Sequence, residues 1–88
     1  IGINNIIARD GQMPIAVRPE ALVLGASGDG ISGKIMRQRR LGALLEREIK
    51  VGGQTLFQSE IAGSGVSFDI GAEVMVSWPD EKAWALPA

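Results

Sequence analysis

The stretch KIMRQRRLGALLEREIK, residues 34–50, decides the fold, because its pattern fits either one helix or two strands joined by a turn. It consists almost wholly of strong helix formers apart from Gly42. The apolar residues that would share one helical face are Leu41, Leu44, Leu45 and Ile49. From Leu45 to Val51, however, every second residue is Glu or Lys, which is the period of a half-buried strand. Gly42 costs a helix interior about 1 kcal/mol relative to Ala but suits a tight turn, so these residues leave both alternatives open.

Glycine and proline divide the rest of the chain into short segments. Twelve glycines and four prolines leave pieces that suit strands and turns. Period-two alternation recurs from Val66 to Ile70 and from Val74 to Trp78. Outside the decisive stretch, strands are predicted at residues 3–8, 14–18, 21–24, 53–61, 73–78 and 83–86. The pattern therefore predicts an all-β domain of about five to seven short strands, closed like a small barrel, with little helix.

Size and composition limit what the chain can be. With 88 residues it can form one domain with one modest core. Its hydrophobic content of 45% is that of a globular protein, and its net charge of −1 gives no overall attraction to nucleic acid or to an anionic membrane. The first residues include no initiating Met and do not resemble a signal peptide. We therefore expect residues 1–13 to form an N-terminal strand and to be the remainder of a longer chain.

Cysteine and histidine are both absent from the sequence. The chain therefore lacks the usual residues for a zinc site, a Cys nucleophile or a Ser–His pair. The remaining acid–base candidates are scattered near predicted strand ends, where carboxylates commonly belong to the surface. These candidates are Asp69, Glu73, Asp80 and Glu81. We expect the chain not to be an enzyme.

A glycine-rich segment before the decisive stretch imitates a phosphate-binding loop. Gly28, Gly33 and Lys34 have the G-x-x-x-x-G-K spacing of such a loop. The next residue is Ile35, where Ser or Thr would reach Mg²⁺. We therefore expect a solvated glycine loop, and no ATP binding by this chain.

A basic cluster supplies residues for a different function, the binding of nucleic acid. Its members are Lys34, Arg37, Arg39, Arg40 and Arg47. No aromatic residue lies within the cluster to stack on bases. If residues 34–50 form a hairpin, Glu46 and Glu48 lie across from the arginines. We therefore expect a solvated, salt-bridged surface and no nucleic-acid partner.

Several motifs, in a fixed order, resemble one known family. The order is IAVRPEALVL, a glycine-rich loop, ISGKIMRQRRLG, LLEREIKVGGQTLFQSEI and IGAEVMVSWPDEKAWALPA. It is similar to that of the TOBE domain, the OB-like β domain at the C-terminal end of ABC-transporter ATPase subunits, and the similarity covers residues from about 14 to the end. The residues RQRR, 37–40, are more basic than this resemblance leads us to expect. The motif positions are Arg18, Pro19 and Glu20; Leu41 and Gly42; and Gly71, Val74, Val76 and Trp78.

The resemblance implies a fold and a division of the chain. Residues 14–88 would form the OB-like barrel, and residues 34–50 would form a hairpin about Gly42. Arg18, Pro19 and Glu20 would end a strand, with Arg18 and Glu20 on the same face because they lie two apart in an extended segment. The family-motif residues expected to be structural are Arg18, Pro19, Glu20, Gly42, Gly71 and Trp78.

The resemblance also implies a function. The chain would be a non-catalytic accessory or regulatory domain of the ATPase subunit of an ABC-type importer, at the cytoplasmic face of the inner or plasma membrane. Its partners would be the ATPase domain of the same polypeptide, a second copy of the subunit and the transporter's membrane subunits. ATP and Mg²⁺ would bind the upstream ATPase domain, and this chain would hold no cofactor and no metal.

Two kinds of contact follow from that resemblance. A partner interface is expected near the C-terminus, at Trp78, Pro79, Trp84 and Leu86, because exposed aromatic residues often anchor contacts. The alternative is a small anion, bound by backbone N–H groups of the glycine-rich turns at residues 28–30 or 63–65.

Overall fold

The computed structural model describes residues 4–86, and within them the chain is all-β. Two single-turn 3₁₀ helices, Pro19–Ala21 and Asp80–Lys82, accompany the strands. The predicted all-β class is confirmed, and the number of strands in these residues is slightly above the predicted range because residues 34–50 supply two of them. The strands are β1 Asn5–Arg9, β2 Gln12–Val17, β3 Val23–Gly25, β4 Ile31–Leu41, β5 Leu44–Val51, β6 Gln54–Ile61, β7 Glu73–Ser77 and β8 Ala83–Ala85.

The strands form two antiparallel sheets. One sheet has three strands in the order β1-β2-β8, and the other has five in the order β3-β7-β4-β5-β6. Each neighbouring pair runs antiparallel. This compact two-sheet arrangement is consistent with an OB-like β fold. The described part of the chain has no helix that is long and apolar enough to cross a membrane.

Residues 34–50 belong to a hairpin, and the helical alternative is wrong. Leu41 pairs with Leu44, and the turn between them contains Gly42 at φ +60°, a left-handed conformation that favours glycine. A bulge between Ile35 and Arg37 shifts the register at the base of the hairpin. Along β5, Arg47 and Ile49 are buried while Lys50 is exposed, so the period-two pattern prevails over the helix propensity of the individual residues.

The core lies between the two sheets and is almost entirely aliphatic. The most buried residues alternate along β5 and β7, as expected for sheets with one face covered, whereas β2 ends in three consecutive buried residues. β1 contributes Ile7, so residues 5–9 pack with the rest of the domain rather than apart from it. Trp78 and Phe68 are partly buried against this core. The buried cluster comprises Ile7, Ile15, Val17, Leu22, Ile35, Ile49, Leu56, Val74 and Val76.

Side-chain amides, rather than a backbone ladder, join β1 to β6. The Asn5 side chain accepts a hydrogen bond from the backbone N–H of Phe57 and donates one to its carbonyl, both at 2.7 Å. Gln54 forms the reciprocal pair with the backbone of Ala8 at 3.3 and 3.4 Å. Asn5 is buried, and its amide bonds the outward-facing backbone groups of Phe57 in β6, which would otherwise lack a partner. The two amides thus connect the edges of the two sheets.

The Arg-Pro-Glu triplet follows directly after β2. β2 ends at Val17, and the following 3₁₀ turn is closed by hydrogen bonds from Ala21 N–H to Arg18 O at 3.0 Å and from Leu22 N–H to Pro19 O at 3.3 Å. The expected end of the strand is confirmed. The placement of Arg18 and Glu20 on one extended face is wrong, because the segment turns at Pro19, and period-two geometry does not apply to a turn.

Residues 66–70 do not form a strand, although their alternation suggested one. Val66 and Ile70 are exposed, and no strand pairs with the segment. On the adjacent edge of β4, the Ile35 carbonyl accepts a hydrogen bond from Gly71 N–H at 2.7 Å, and Ile35 N–H donates one to Ala72 O at 3.0 Å. The segment is held by a side chain instead, since the Phe68 carbonyl accepts a hydrogen bond from Gln38 Nε2 at 2.7 Å.

The second half of the phosphate-loop spacing lies in a strand, while Gly28 lies in the loop before it. Gly33 pairs with Val74, Lys34 pairs with Glu73, and the side chain of Ile35 is fully buried. A Cβ on Gly33 would stand 2.8 Å from the Ile49 side chain, so this glycine allows close packing of the sheet. The predicted glycine loop therefore ends earlier than expected, because β4 begins at Ile31.

Candidate functional site

An open groove of about 1010 Å³ lies on one side of the five-stranded sheet. β4, β5 and β6 line it, the Arg18–Glu20 turn borders it, and Ile70 also contributes to its lining. The turn lies beside β6, so the family-motif triplet borders the groove as well as ending a strand.

Charged pairs lie on the exposed side of the hairpin that lines the groove. Arg39 contacts Glu46 at 3.0 Å, and Arg37 contacts Glu48 at 3.6 Å. Both arginine side chains are more than two-thirds exposed, so each pair contributes little to stability. The predicted salt-bridged surface is confirmed at these two pairs, whose arginines already have carboxylate partners.

Arg47 is the member of the predicted basic cluster that the structure removes from the surface. Its side chain is 1% exposed, so it does not contribute to a basic surface for nucleic acid. Its guanidinium donates to Gln38 Oε1 at 2.8 Å, to Gln58 Oε1 at 2.9 Å and to Glu60 Oε1 at 2.8 Å. The burial follows from strand parity, because Arg47 lies on the same side of β5 as Ile49.

The Arg47 network, formed by Gln38, Arg47, Gln58 and Glu60, also holds the 62–72 loop. Register places Gln38 and Gln58 opposite Arg47 on the two neighbouring strands. Gln38 donates to the backbone carbonyl of Phe68 at 2.7 Å, and the Arg47 guanidinium lies 5.6 Å from the Phe68 ring centre. No buried side-chain polar atom of the described residues lacks a hydrogen-bond partner. The signal for this network was present in the sequence, as an arginine at an apolar position of the strand pattern.

The two glycine-rich turns expected to bind an anion have different environments. In the turn at residues 63–65, the Ser64 N–H is already donated to Ile61 O at 3.1 Å. Glu60 also lies close by, since a Cβ on Gly65 would stand 3.0 Å from a Glu60 carboxylate oxygen. That carboxylate opposes an anion at this turn. The turn at residues 28–30 is exposed, with positive φ at Gly28 and Gly30.

The acid–base candidates remain separate. Glu73 pairs with Lys34 across β4 and β7, and Asp80 and Glu81 lie in the second 3₁₀ turn. All four candidates, including Asp69, are exposed. No group of three or more carboxylates within residues 4–86 is arranged to hold a metal ion.

The four residues of the expected C-terminal interface have different environments. Trp78 packs partly against the core, Pro79 is exposed, and Leu86 is half-buried with its N–H bonded to Pro14 O at 2.9 Å. Trp84 is 51% exposed and is the only one of the four that presents a large free aromatic surface. The two motif glycines lie in turns, Gly42 in the hairpin and Gly71 at φ +92° beside Ile35.

Trp84 continues an apolar row across the outer face of the three-stranded sheet. Ile6 pairs with Ala16, and Ala16 pairs with Trp84, so the three side chains share one face. Ile6 and Trp84 are about half exposed, and Ala16 is covered between them. The row faces away from the core, whose residues from the same strands are Ile7, Ile15 and Val17.

Comparison with known proteins identifies a family. The family model described as TOBE domain matches residues 15–86, which is most of the chain. No curated protein sequence matches the chain. The matched range contains the 3₁₀ turn of the Arg-Pro-Glu triplet, the β4–β5 hairpin and the C-terminal strands. The chain therefore belongs to the TOBE domain family.

Proposed function

We propose that this chain is a non-catalytic accessory domain of the ATPase subunit of an ABC-type importer, where it contributes to subunit pairing or to the regulation of transport. The observation that carries the proposal is the TOBE family match over residues 15–86. A domain of this kind acts through contacts, so its exposed apolar surfaces matter more than its titratable groups.

The distribution of charge supports a role in contacts rather than in chemistry. Three arginines of the hairpin form ion pairs within the chain, Arg37 with Glu48, Arg39 with Glu46, and Arg47 with Glu60. The groove and the Trp84 row remain as surfaces for another protein.

The proposal names three partners and one location. The partners are the ATPase domain of the same polypeptide, a second copy of the subunit and the membrane subunits of the transporter. The domain would lie at the cytoplasmic face of the inner or plasma membrane. The ATPase domain would bind ATP and Mg²⁺, and this domain would need no cofactor.

Deletion of residues 14–88 from the full subunit tests the proposal. We expect the truncated subunit to bind ATP normally but to pair less tightly, or to lose the response of ATP hydrolysis to transport substrate. Sedimentation measures pairing, and ATPase rates with and without substrate measure regulation. A folded truncated subunit that fails to bind ATP, or one with unchanged pairing and regulation, would refute the accessory role.

A further inference from the structure

β8 is an edge strand whose outer side has no strand partner in the described chain. It pairs only with β2, where Trp84 lies opposite Ala16. Every second residue of an antiparallel strand directs its N–H and C=O to the partner strand. Leu86 N–H is bonded to Pro14 O, so the backbone groups of Trp84, two residues earlier, also point toward β2. Those of Ala83 and Ala85 then point outward. The N–H of Ala83 is bonded to Asp80 O in the preceding turn.

Apart from its short length of three residues, this edge lacks the features that usually prevent edge-to-edge association. Exposed edge strands are commonly blocked by a lysine, a proline or a bulge. β8 reads Ala-Trp-Ala, with regular register to β2. The Ala85 N–H and the Ala83 carbonyl remain directed outward, next to a tryptophan that is 51% exposed.

We propose that β8 is a homotypic docking edge, on which the β8 of a second copy of this chain adds in antiparallel orientation about a two-fold axis at Trp84. The proposal rests on the proposed function, because it assigns the surface through which two subunits pair. The β1-β2-β8 sheet of each copy would join that of the other into one continuous sheet. The apolar row from Ile6 to Trp84 would continue into the partner's row.

The register of the edge itself favours a second copy as the occupant. When the two-fold axis passes through Trp84, each Ala85 N–H lies opposite the partner's Ala83 carbonyl. The Ala85 N–H groups of both copies therefore have acceptors. Trp84 then lies opposite the partner's Trp84 on the same face, as a cross-strand aromatic pair. Lys82 lies opposite the partner's Leu86 rather than opposite a like charge. The edge is thus self-complementary, as a two-fold interface requires.

The pair is expected to be weak in isolation. Two hydrogen bonds and one aromatic pair bury far less surface than the ~800 Å² per partner of a standard stable interface. Such a contact becomes effective when the two copies are held together by other domains, which raises their effective concentration. Measurements on the chain alone therefore require concentrations up to about 1 mM.

Cysteine cross-linking tests the position of the axis, because the chain contains no cysteine. In Trp84→Cys, the two thiols would occupy a non-hydrogen-bonded antiparallel pair, whose Cα separation of about 4.5 Å permits a disulfide. The control is Ile70→Cys, at a residue 63% exposed on a different surface. We expect disulfide-linked dimer to form at least about tenfold faster in Trp84→Cys. Equal rates would overturn the proposal.

A second variant tests the edge while Trp84 is retained. Ala85→Pro removes an outward N–H that has no partner within the described residues, and proline is tolerated on sheet edges. We expect the dimer dissociation constant, measured by sedimentation, to rise at least about tenfold, and the thermal midpoint of the monomer to change little. Ala85→Ser, which keeps the N–H, should associate like the unmodified chain. Unchanged association in Ala85→Pro, or no association of the unmodified chain at about 1 mM, would refute the docking edge.

Failure of this inference can be told apart from failure of the proposed function. If deleting residues 14–88 weakens subunit pairing while Trp84→Cys cross-links no faster than Ile70→Cys, the accessory role stands and the edge assignment falls. If Trp84→Cys cross-links rapidly while the deletion leaves pairing and regulation unchanged, the edge stands and the accessory role falls.

Discussion

Replacing the buried Arg47 by methionine should destabilise the domain far more than any change to the exposed arginines. Methionine retains an unbranched side chain but removes the guanidinium that donates to Gln38, Gln58 and Glu60 at 2.8–2.9 Å. It also removes the contact with the Phe68 ring. Three acceptors would then compete for fewer donors, and the Glu60 carboxylate would lose its cation.

The magnitude follows from the burial of this group. Removing one partner of a buried ion pair costs about 3–5 kcal/mol, because the remaining charge and hydrogen-bonding groups are left without compensation. Glu60 is 22% exposed, so water can reach it and the lower end of that range applies. A loss of about 3 kcal/mol is a large part of the roughly 5–15 kcal/mol by which a small domain is stable. At about 4–8 °C per kcal/mol, the thermal midpoint should fall by more than about 10 °C.

Urea unfolding of the 88-residue chain, followed by tryptophan fluorescence, measures the effect. The matched control is Arg37→Met, which removes an exposed pair at 3.6 Å and should change stability by less than about 1 kcal/mol. Arg47→Lys keeps the charge but cannot donate in a planar fork, so its cost should fall between the two. If Arg47→Met costs no more than Arg37→Met, the Arg47 network does not stabilise the fold and the argument from burial is wrong.

Three further predictions address the sheet junction, the glycine-rich turn and ATP. Asn5→Ala should cost about 2 kcal/mol or more and speed hydrogen exchange at the Phe57 amide, because it removes two bonds at 2.7 Å, whereas Asn4→Ala at an exposed position should do neither. Equal effects of the two variants would contradict the role of the amide. Gly30→Ala should cost about 2 kcal/mol or more in the same unfolding assay, because its Cβ would overlap the Val76 carbonyl at φ +131°, while Gly53→Ala has open space and should be nearly neutral. A neutral Gly30→Ala would refute the strain argument. Calorimetric titration with Mg-ATP should show no saturable heat, with or without Lys34→Ala, because Lys34 lies in β4; micromolar binding abolished by the substitution would contradict this.

Local pattern was enough to predict the class of the fold, whereas the position of its central turn came from the family resemblance. The alternation from Leu45 to Val51 and the glycine at position 42 fit the observed hairpin, but the helix formers around them fit a helix equally well, and the order of the family motifs decided between the two. The hydrophobic residues of β5 and β7 alternate, and the same alternation orders their burial in the structure, whereas β2 ends in three consecutive buried residues. The motif order carried the family, which the match over residues 15–86 confirms.

The candidate site depended much less on local pattern. Strand parity places Arg47 on the covered face, but it does not show that Gln58, Glu60 and Phe68 will be there to receive it. Trp78 and Trp84 look equivalent as exposed-aromatic candidates, and only the packing of the first against the core separates them. The groove likewise forms because the turn at Pro19 lies beside β6, nearly forty residues away in sequence.

The sequence by itself determined that this chain is a β protein, because period-two burial is set by neighbouring residues, and its resemblance to a family, rather than the local pattern, placed a hairpin about Gly42. Only the tertiary structure decided which polar side chains are buried, which alternating segment lacks a partner, and how the two sheets meet. Asn5 and Phe57 are 52 positions apart, and Gln38 and Phe68 are 30 apart, yet each pair is joined at 2.7 Å. The energy of a buried polar group depends on the partner that another strand brings to it, and no local pattern specifies that partner.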